Sequence, residues 1–433
     1  MRRLTIKNIG PIKSIRLDLK RINVLIGLQS SGKSTINKIA CHCSWVEKEI
    51  YINQSPRDFE FESYFENQLI EFHKLEGFMN SKSFIEFETD FMHFSYSKKE
   101  SKFSFKWKSE EARLQYRRTK TLYIPAERNI VAVIPNWFDI RLDNSNLRSF
   151  MSAWQEARNF YNTSSFPILN LGVEYVYNKK TNTDQLTLTE KGKKISLKNA
   201  SSGLQSLIPL CTLIGYTTKE IFIEKNKNSI HYDSIIKGLR LDIQKYLLNS
   251  IAVLDELYKK NQNEILNTHY KSKLQDWNFE FNTEQRQSTF EYILNHIENT
   301  QQSSIFLEEP EVNLFPTTQR ELVKYLIQST YHNEEGRAHN LFITTHSPYI
   351  LTTLNNLIYA HDCAKNSEEV KDILAEDYWV NFDDVGVWFV KNGMIEDILD
   401  QEERQIDATK IDEVSQLLND EFDNLLNTQY HEV

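Results

Sequence analysis

The sequence predicts an α/β fold, a mixed sheet flanked by helices, carrying a β-rich insertion and a helical insertion. Three observations predict it. An apolar run, Val24-Leu25-Ile26, ends in GLQSSGKST (27–35), and apolar residues then recur at helical spacing: Ile36, Ile39, Ala40, Cys43, Val46 and Ile50. Two further apolar runs, within SSIFLEEPE (303–311) and NLFITTHSP (340–348), also end in charged or polar turns. Runs of this kind suit strands buried on both faces by covering helices.

The elements follow in order. RLTIKNIG and IRLDL alternate polar and apolar residues like two half-exposed strands, and RINVLIG reads as a buried strand. Residues 83–108 alternate strongly around a polar turn and predict a β-hairpin after the first helix. TLYIPAERN (121–129) is a strand ending in a charged turn. Residues 173–197 read as three short strands, and NASSGLQSLIPL then enters a helix. From 217 to 300 the chain is polar and helical, with Ile236, Leu239, Ile243, Leu247, Ile251, Leu254 and Tyr258 forming one apolar stripe. VGVWFVKNG is a late strand. From Ile411 onward, Val414, Leu417, Leu418, Phe422 and Leu425 share a helical face.

Composition narrows the function classes. No apolar run approaches the roughly 20 residues that cross a bilayer, and MRRLTIKNIGPIKS lacks the apolar core of a secretory signal. The expectation is a cytoplasmic protein with no membrane partner. Cys41, Cys43, Cys211 and Cys363 make no disulfide framework for a chain of 433 residues, and Cys41-His42-Cys43 lacks zinc spacing.

The residues that carry chemistry begin at the first turn. Gly27, Gly32, Lys33 and Ser34 match G-x-x-x-x-G-K-[ST], the phosphate loop. Glycines let the backbone curl so that N–H groups converge on phosphate, and the next helix presents its positive end. Gly27, Ser30, Ser31, Gly32, Lys33, Ser34 and Thr35 are therefore the expected nucleotide-binding residues. Lys33 reaches the β and γ phosphates and Ser34 ligates Mg²⁺. Glu308 ends a buried strand where a carboxylate can hold the Mg²⁺ shell. Glu309, next along the chain, can take a proton from the attacking water. His346 ends another buried strand, placed to meet the γ-phosphate or that water. Each motif has a plain alternative: a strand-to-helix turn, a solvated acidic turn, a surface histidine.

The phosphate loop, SSGLQS, LEEPE and TTHSP, in that order, resemble the P-loop NTPases of the ABC/SMC-head type, specifically the ATPase heads of the SMC and OLD class. In that family the signature loop would be at 201–205, with Ser202, Gly203 and Gln205 matching its core and Leu204 departing from the second glycine. The resemblance implies ATP and Mg²⁺ as cofactors, and a homo-oligomer that is at least a head-to-tail dimer. Ser202 and Gly203 of one subunit would close on the nucleotide of another. It also implies a division into ATPase core (1–50), β-rich basic insertion (51–120), core with signature loop (121–216), helical insertion (217–300), core with LEEPE and His346 (301–395) and an acidic C-terminal helix (396–433). PEVNLFP replaces the aspartate-bearing loop of the family, leaving Asn313 or backbone for that contact. YIPAERN stands where a metal-binding glutamine is usual, leaving Glu127 or Arg128 as substitutes. A Ser-capped helix start at NASSGLQ holds in either reading.

YIPAERN, LEEPEVNLFP and TTHSPYILTTLNN also resemble stand-alone ATPases of bacterial antiphage defence systems (Septu, PARIS, Gabija and OLD-like). That implies an ATPase acting as sensor or regulator of a separate effector protein, a nuclease. With little sequence after His346 and no His-Asn-His-type metal spacing, nuclease activity of the fused OLD kind is not expected of this chain. The alternative is a DNA-repair or chromosome-associated ATP-gated DNA clamp. Residues 98–120 hold nine Lys/Arg against three Asp/Glu, interleaved with aromatics that would stack bases or face the core. A third reading is a scaffold that ATP locks into an oligomer.

Overall fold

The computed structural model describes residues 2–134, 143–190, 192–222, 258–262, 284–332, 337–407 and 419–426. At its centre lies a six-stranded mixed sheet. Its order is Met394–Asp397, Val385–Lys391, Ile22–Gly27, Asn340–Thr345, Gln302–Glu308 and Thr119–Ile124. Only the Met394–Asp397 edge strand runs antiparallel; the other five are parallel. This is the α/β fold with a mixed sheet flanked by helices.

Side-chain alternation along these strands divides the core in two. Val24, Ile26, Ile305, Leu307, Leu341, Ile343, Val385 and Val387 face one way. They meet helices Asn146–Phe160, Ser202–Thr218, Pro316–Thr330 and Pro348–Cys363. Leu25, Tyr123, Phe306, Phe342, Trp388 and Val390 face the other way, onto helix Lys33–Asn53. The helix buries Ile36, Ile39, Ala40, Cys43, Val46 and Ile50, the positions its spacing marks.

The segment read as a hairpin folds differently. Three strands, Met79–Glu88, Met92–Ser97 and Lys102–Trp107, join Arg2–Ile9 and Ile12–Leu19 in one five-stranded antiparallel sheet. Residues 51–120 thus continue a sheet that the first twenty residues begin, because Arg2–Ile9 offers its free edge to Met79–Glu88. The aromatics here turn inward. Phe103 packs 5.5 Å from Phe94 and 5.5 Å from Phe65, and Tyr96 stacks 5.0 Å from Phe65. Tyr96, Phe103 and Tyr116 are buried, so they cannot stack on bases; Lys102 and Lys106 remain exposed.

Residues 173–196 form the three short strands their pattern predicts. The acidic C-terminal stretch begins not as a helix but as strand: Leu399–Asp400 pairs antiparallel with Gln405–Ile406. Ile398, just before this pair, and Ile406, at its end, are buried in the main core. Farther on, Phe422 and Leu425 are exposed on a helical turn over 419–426, while Val414, Leu417 and Leu418 lie outside the described residues. So do Ile236, Leu239, Ile243, Leu247, Ile251 and Leu254 of the helical stripe. Cys41, Cys43 and Cys211 are buried free thiols.

If the aromatics of residues 96–116 are core, Phe103→Ala should lower stability by about 3–5 kcal/mol, the cost of deleting a buried ring. The same change at half-buried Phe105 should cost clearly less. Paired denaturant titrations decide it: equal, small losses would return these rings to the surface.

Candidate functional site

Parallel pairing fixes where the site lies. Thr345 is level with Ile26, Glu308 with Thr344, and Leu307 with Ile124. The carboxyl ends of four neighbouring strands therefore open at one edge, where ligands of parallel α/β sheets bind. Gly27, Glu308, His346 and the Pro125–Asn129 turn all sit there.

The loop after Gly27 has the backbone its composition calls for. Gly27 has φ +153°, and a Cβ there would lie 2.3 Å from the Val390 carbonyl oxygen. Gly32, at φ +110°, precedes the helix, and a Cβ there would crowd Pro11 and Ile12 at 3.2 Å. No side chain caps that helix, and no acid sits in its first turn. Its leading N–H groups keep their positive end for an anion. Lys33 Nζ donates to the carbonyls of Gly27 and Leu28, both at 2.8 Å. Burial lowers the Lys33 pKa to about 8 against the pull of Glu309 and Glu311.

His346 joins this lysine to the acidic turn. Its Nδ1 lies 3.5 Å from Lys33 Nζ, and its Nε2 lies 3.5 Å from Glu309 Oε1. Glu311 fixes the histidine by accepting the His346 backbone N–H at 2.6 Å. Ser347 then caps the next helix, and Gln319 accepts its hydroxyl at 2.5 Å. Glu309 adopts φ +42°, an unusual backbone for a residue with a long side chain, and its N–H donates to the Thr344 carbonyl at 2.8 Å. The left-handed turn takes Glu309 off the strand line and toward His346.

Glu308 stays behind at the strand end and is buried. Desolvation raises its pKa, against contributions from the Tyr123 and Ser34 hydroxyls and Lys38. Its Oε1 has no hydrogen-bond partner among the described residues, and neither does the buried Ser31 hydroxyl. A buried carboxylate oxygen of this kind costs free energy unless something answers it. With an uncapped helix end, a glycine cradle and the Ser34 hydroxyl beside Glu308, these residues fit a phosphate with its cation.

The signature-like stretch lies elsewhere. Ser202 and Gly203 open helix Ser202–Thr218, with Ser201 as its cap, accepting from the Leu204 N–H at 3.4 Å. Ser202 is exposed. A Cβ on Gly203 would lie 2.8 Å from the Asn313 carbonyl, so the glycine lets the turn after Glu311 pack on the helix start. Gln205 donates to the carbonyls of Leu197 and Lys198 at 3.4 and 2.9 Å. No described contact joins Ser202, Gly203 or Gln205 to Lys33. Asn313 is exposed, with φ +63°. Of the two residues considered as metal ligands in the YIPAERN turn, Arg128 is fully buried with its guanidinium among carbonyls, and so cannot substitute for a glutamine ligand. Glu127 is exposed on the same turn, on the Glu308 side. Sequence reasoning passed over Glu311 as a positioning group; its only signal was a third carboxylate in LEEPE.

No protein-family model matches the chain, and no curated protein does. Solved structures do. The SMC head domain from Thermotoga maritima is similar at 8% identity and a TM-score of 0.36, covering 92% of this chain and 97% of that chain. An SMC head bound to the C-terminal winged-helix domain of ScpA gives 7% identity and 0.33, over 92% and 96%. The recombination mediator protein RecF gives 13% identity and 0.27, over 92% and 97%. No residue role is carried over from them.

Two outcomes follow for the loop. Gly27→Ala should abolish nucleotide binding in equilibrium titrations, since its methyl must displace the Val390 carbonyl; wild-type affinity would mean the loop has room. Lys33 binds an anion best when protonated, so nucleotide affinity should fall as pH rises through about 8. Lys33→Met should bind weakly with no such step, and an equal step in that variant would assign the titration to another group.

Proposed function

We propose that the chain is an ATPase of the ABC/SMC-like type. The observation that carries this reading is the line Lys33–His346–Glu309, with 3.5 Å between neighbours, over an uncapped phosphate-loop helix and beside buried Glu308. Bound ATP with Mg²⁺ supplies the transferable phosphoryl group and the cation that offsets its charge. The chain's own residues do the rest. Gly27 to Thr35, with Ser30, Ser31 and Gly32 between, direct backbone N–H groups inward, and Lys33 exchanges its two loop carbonyls for phosphate oxygens. Ser34 and Glu308 would hold the cation. Glu309 Oε1 takes the proton of the attacking water, and His346 keeps that carboxylate and Lys33 in register.

Ser202 and Gly203 stand apart from this line at an exposed helix start, which suits a head-to-tail homo-oligomer in which they close on a neighbour's nucleotide. The resemblance to antiphage ATPases extends the reading to regulation of a separate effector, a nuclease, in the bacterial cytoplasm. A second reading, an ATP-gated DNA clamp, is favoured by one observation: Lys7, Arg16, Lys102 and Lys106 are exposed on the five-stranded sheet.

Glu309→Gln should bind ATP as the wild type does and turn over about 10²–10⁴-fold more slowly, the range for a lost general base. Turnover at the wild-type rate would remove Glu309 from this role. Reversing Lys102 and Lys106 to Glu should leave turnover unchanged. ATP-stimulated binding of duplex DNA that vanishes in that variant would favour the clamp. A stoichiometric complex with the product of a neighbouring gene, seen by native mass spectrometry, would favour the regulator.

A further inference from the structure

Arg128 is a buried cation outside the scheme above, and among the described residues no carboxylate pairs with its guanidinium directly. Its five N–H groups are all used on carbonyl oxygens. Nε donates to Ser206 at 3.2 Å. One terminal nitrogen donates to Pro125 at 3.4 Å and Glu308 at 2.9 Å. The other donates to Glu309 at 2.8 Å and Pro310 at 3.1 Å. Burial lowers its pKa to about 10, so the group stays charged at neutral pH.

The acceptors come from three separate pieces of chain. Three consecutive carbonyls, 308 to 310, belong to the turn that gives Glu309 its φ of +42°. Ser206 lies in the first turns of helix Ser202–Thr218, just past Ser202 and Gly203. That end of the helix is short of internal bonds, because Pro209 has no N–H to offer the Gln205 carbonyl. The guanidinium therefore holds a weakened helix start and a strained turn with a single rigid fork. A shift of the helix start pulls on the group that sets Glu309.

Resting on the ATPase reading above, we propose that Arg128 is a positioning residue for hydrolysis: it holds the Glu309 turn and ties its geometry to the signature-like helix. A planar five-donor group suits this task, whereas a lysine ammonium has three donors and no fork. Arg128 touches neither Lys33 nor Ser34 and meets Glu308 only through its backbone carbonyl, leaving the carboxylate untouched, so nucleotide affinity should survive its loss.

The test compares Arg128→Lys and Arg128→Met with the wild type in three measurements: thermal unfolding, ATP affinity, and turnover. In a folded variant, ATP affinity should stay within about threefold while turnover falls at least about tenfold, one factor of ten for each 1.4 kcal/mol of lost transition-state stabilisation. Wild-type-like turnover in folded Arg128→Lys, or affinity falling in step with turnover, would overturn the proposal. If neither variant folds, hydrogen exchange on the wild type decides: amides of 202–208 and 308–312 should change protection together when ATP binds. A change confined to one segment would overturn it. A wild-type protein that binds no ATP, or binds it without turnover, would instead overturn the ATPase reading itself.

Discussion

Parallel strands buried on both faces must all finish at the same edge, and everything else here depends on that constraint. Four neighbouring strands end at Gly27, Thr345, Glu308 and Ile124, in register to within a residue or two. Each end then releases a turn into the same crevice. The backbone hydrogen bonds of the sheet cannot shift by one residue without moving Val24 or Leu25 to the wrong core. Small side-chain distances, such as those around His346, are thus set by packing many residues away.

Much of this was legible in the sequence, for a physical reason. A glycine-rich turn after an apolar run, carboxylates after a second and a histidine after a third occupy equivalent places in equivalent strands. Apolar runs placed each turn at a strand end, the phosphate-loop pattern and the family resemblance brought the turns to one site, and periodicity gave the helix from Lys33 and the three strands of 173–196. What escaped was chemistry conducted through backbone. Arg128 acts on carbonyls 78 or 180 residues away in sequence, and Glu311 acts on one N–H; neither partner has a side-chain identity to read. The five-stranded sheet was missed because alternation marks a strand and not its neighbour. Leu399–Asp400 and Gln405–Ile406 were hidden inside a run of acids that looked helical.

The basic segment shows how charge and burial separate. Its aromatics and lysines alternate, and the sheet sorts them to opposite faces. Phe103 and Tyr96 knit the Tyr64–His73 helix to the sheet, and Glu66 of that helix accepts the Tyr96 hydroxyl at 2.6 Å and pairs with Lys98 at 2.6 Å. One lysine is thereby tied down and others are left in solvent. A surface of this sort offers a field for a polyanion, with Tyr96, Phe103 and Tyr116 withdrawn from it.

The tether between Lys33 and the carbonyls of Gly27 and Leu28 has a kinetic meaning. A lysine free in solvent would have to lose several rotatable bonds' worth of freedom on meeting a ligand. This one has lost them already, on folding. On the proposed function the loop it braces is tied before a phosphate would arrive, so association would be an exchange of oxygen partners at one nitrogen. Release would be the reverse exchange, with the loop's own carbonyls as competitors for the ammonium.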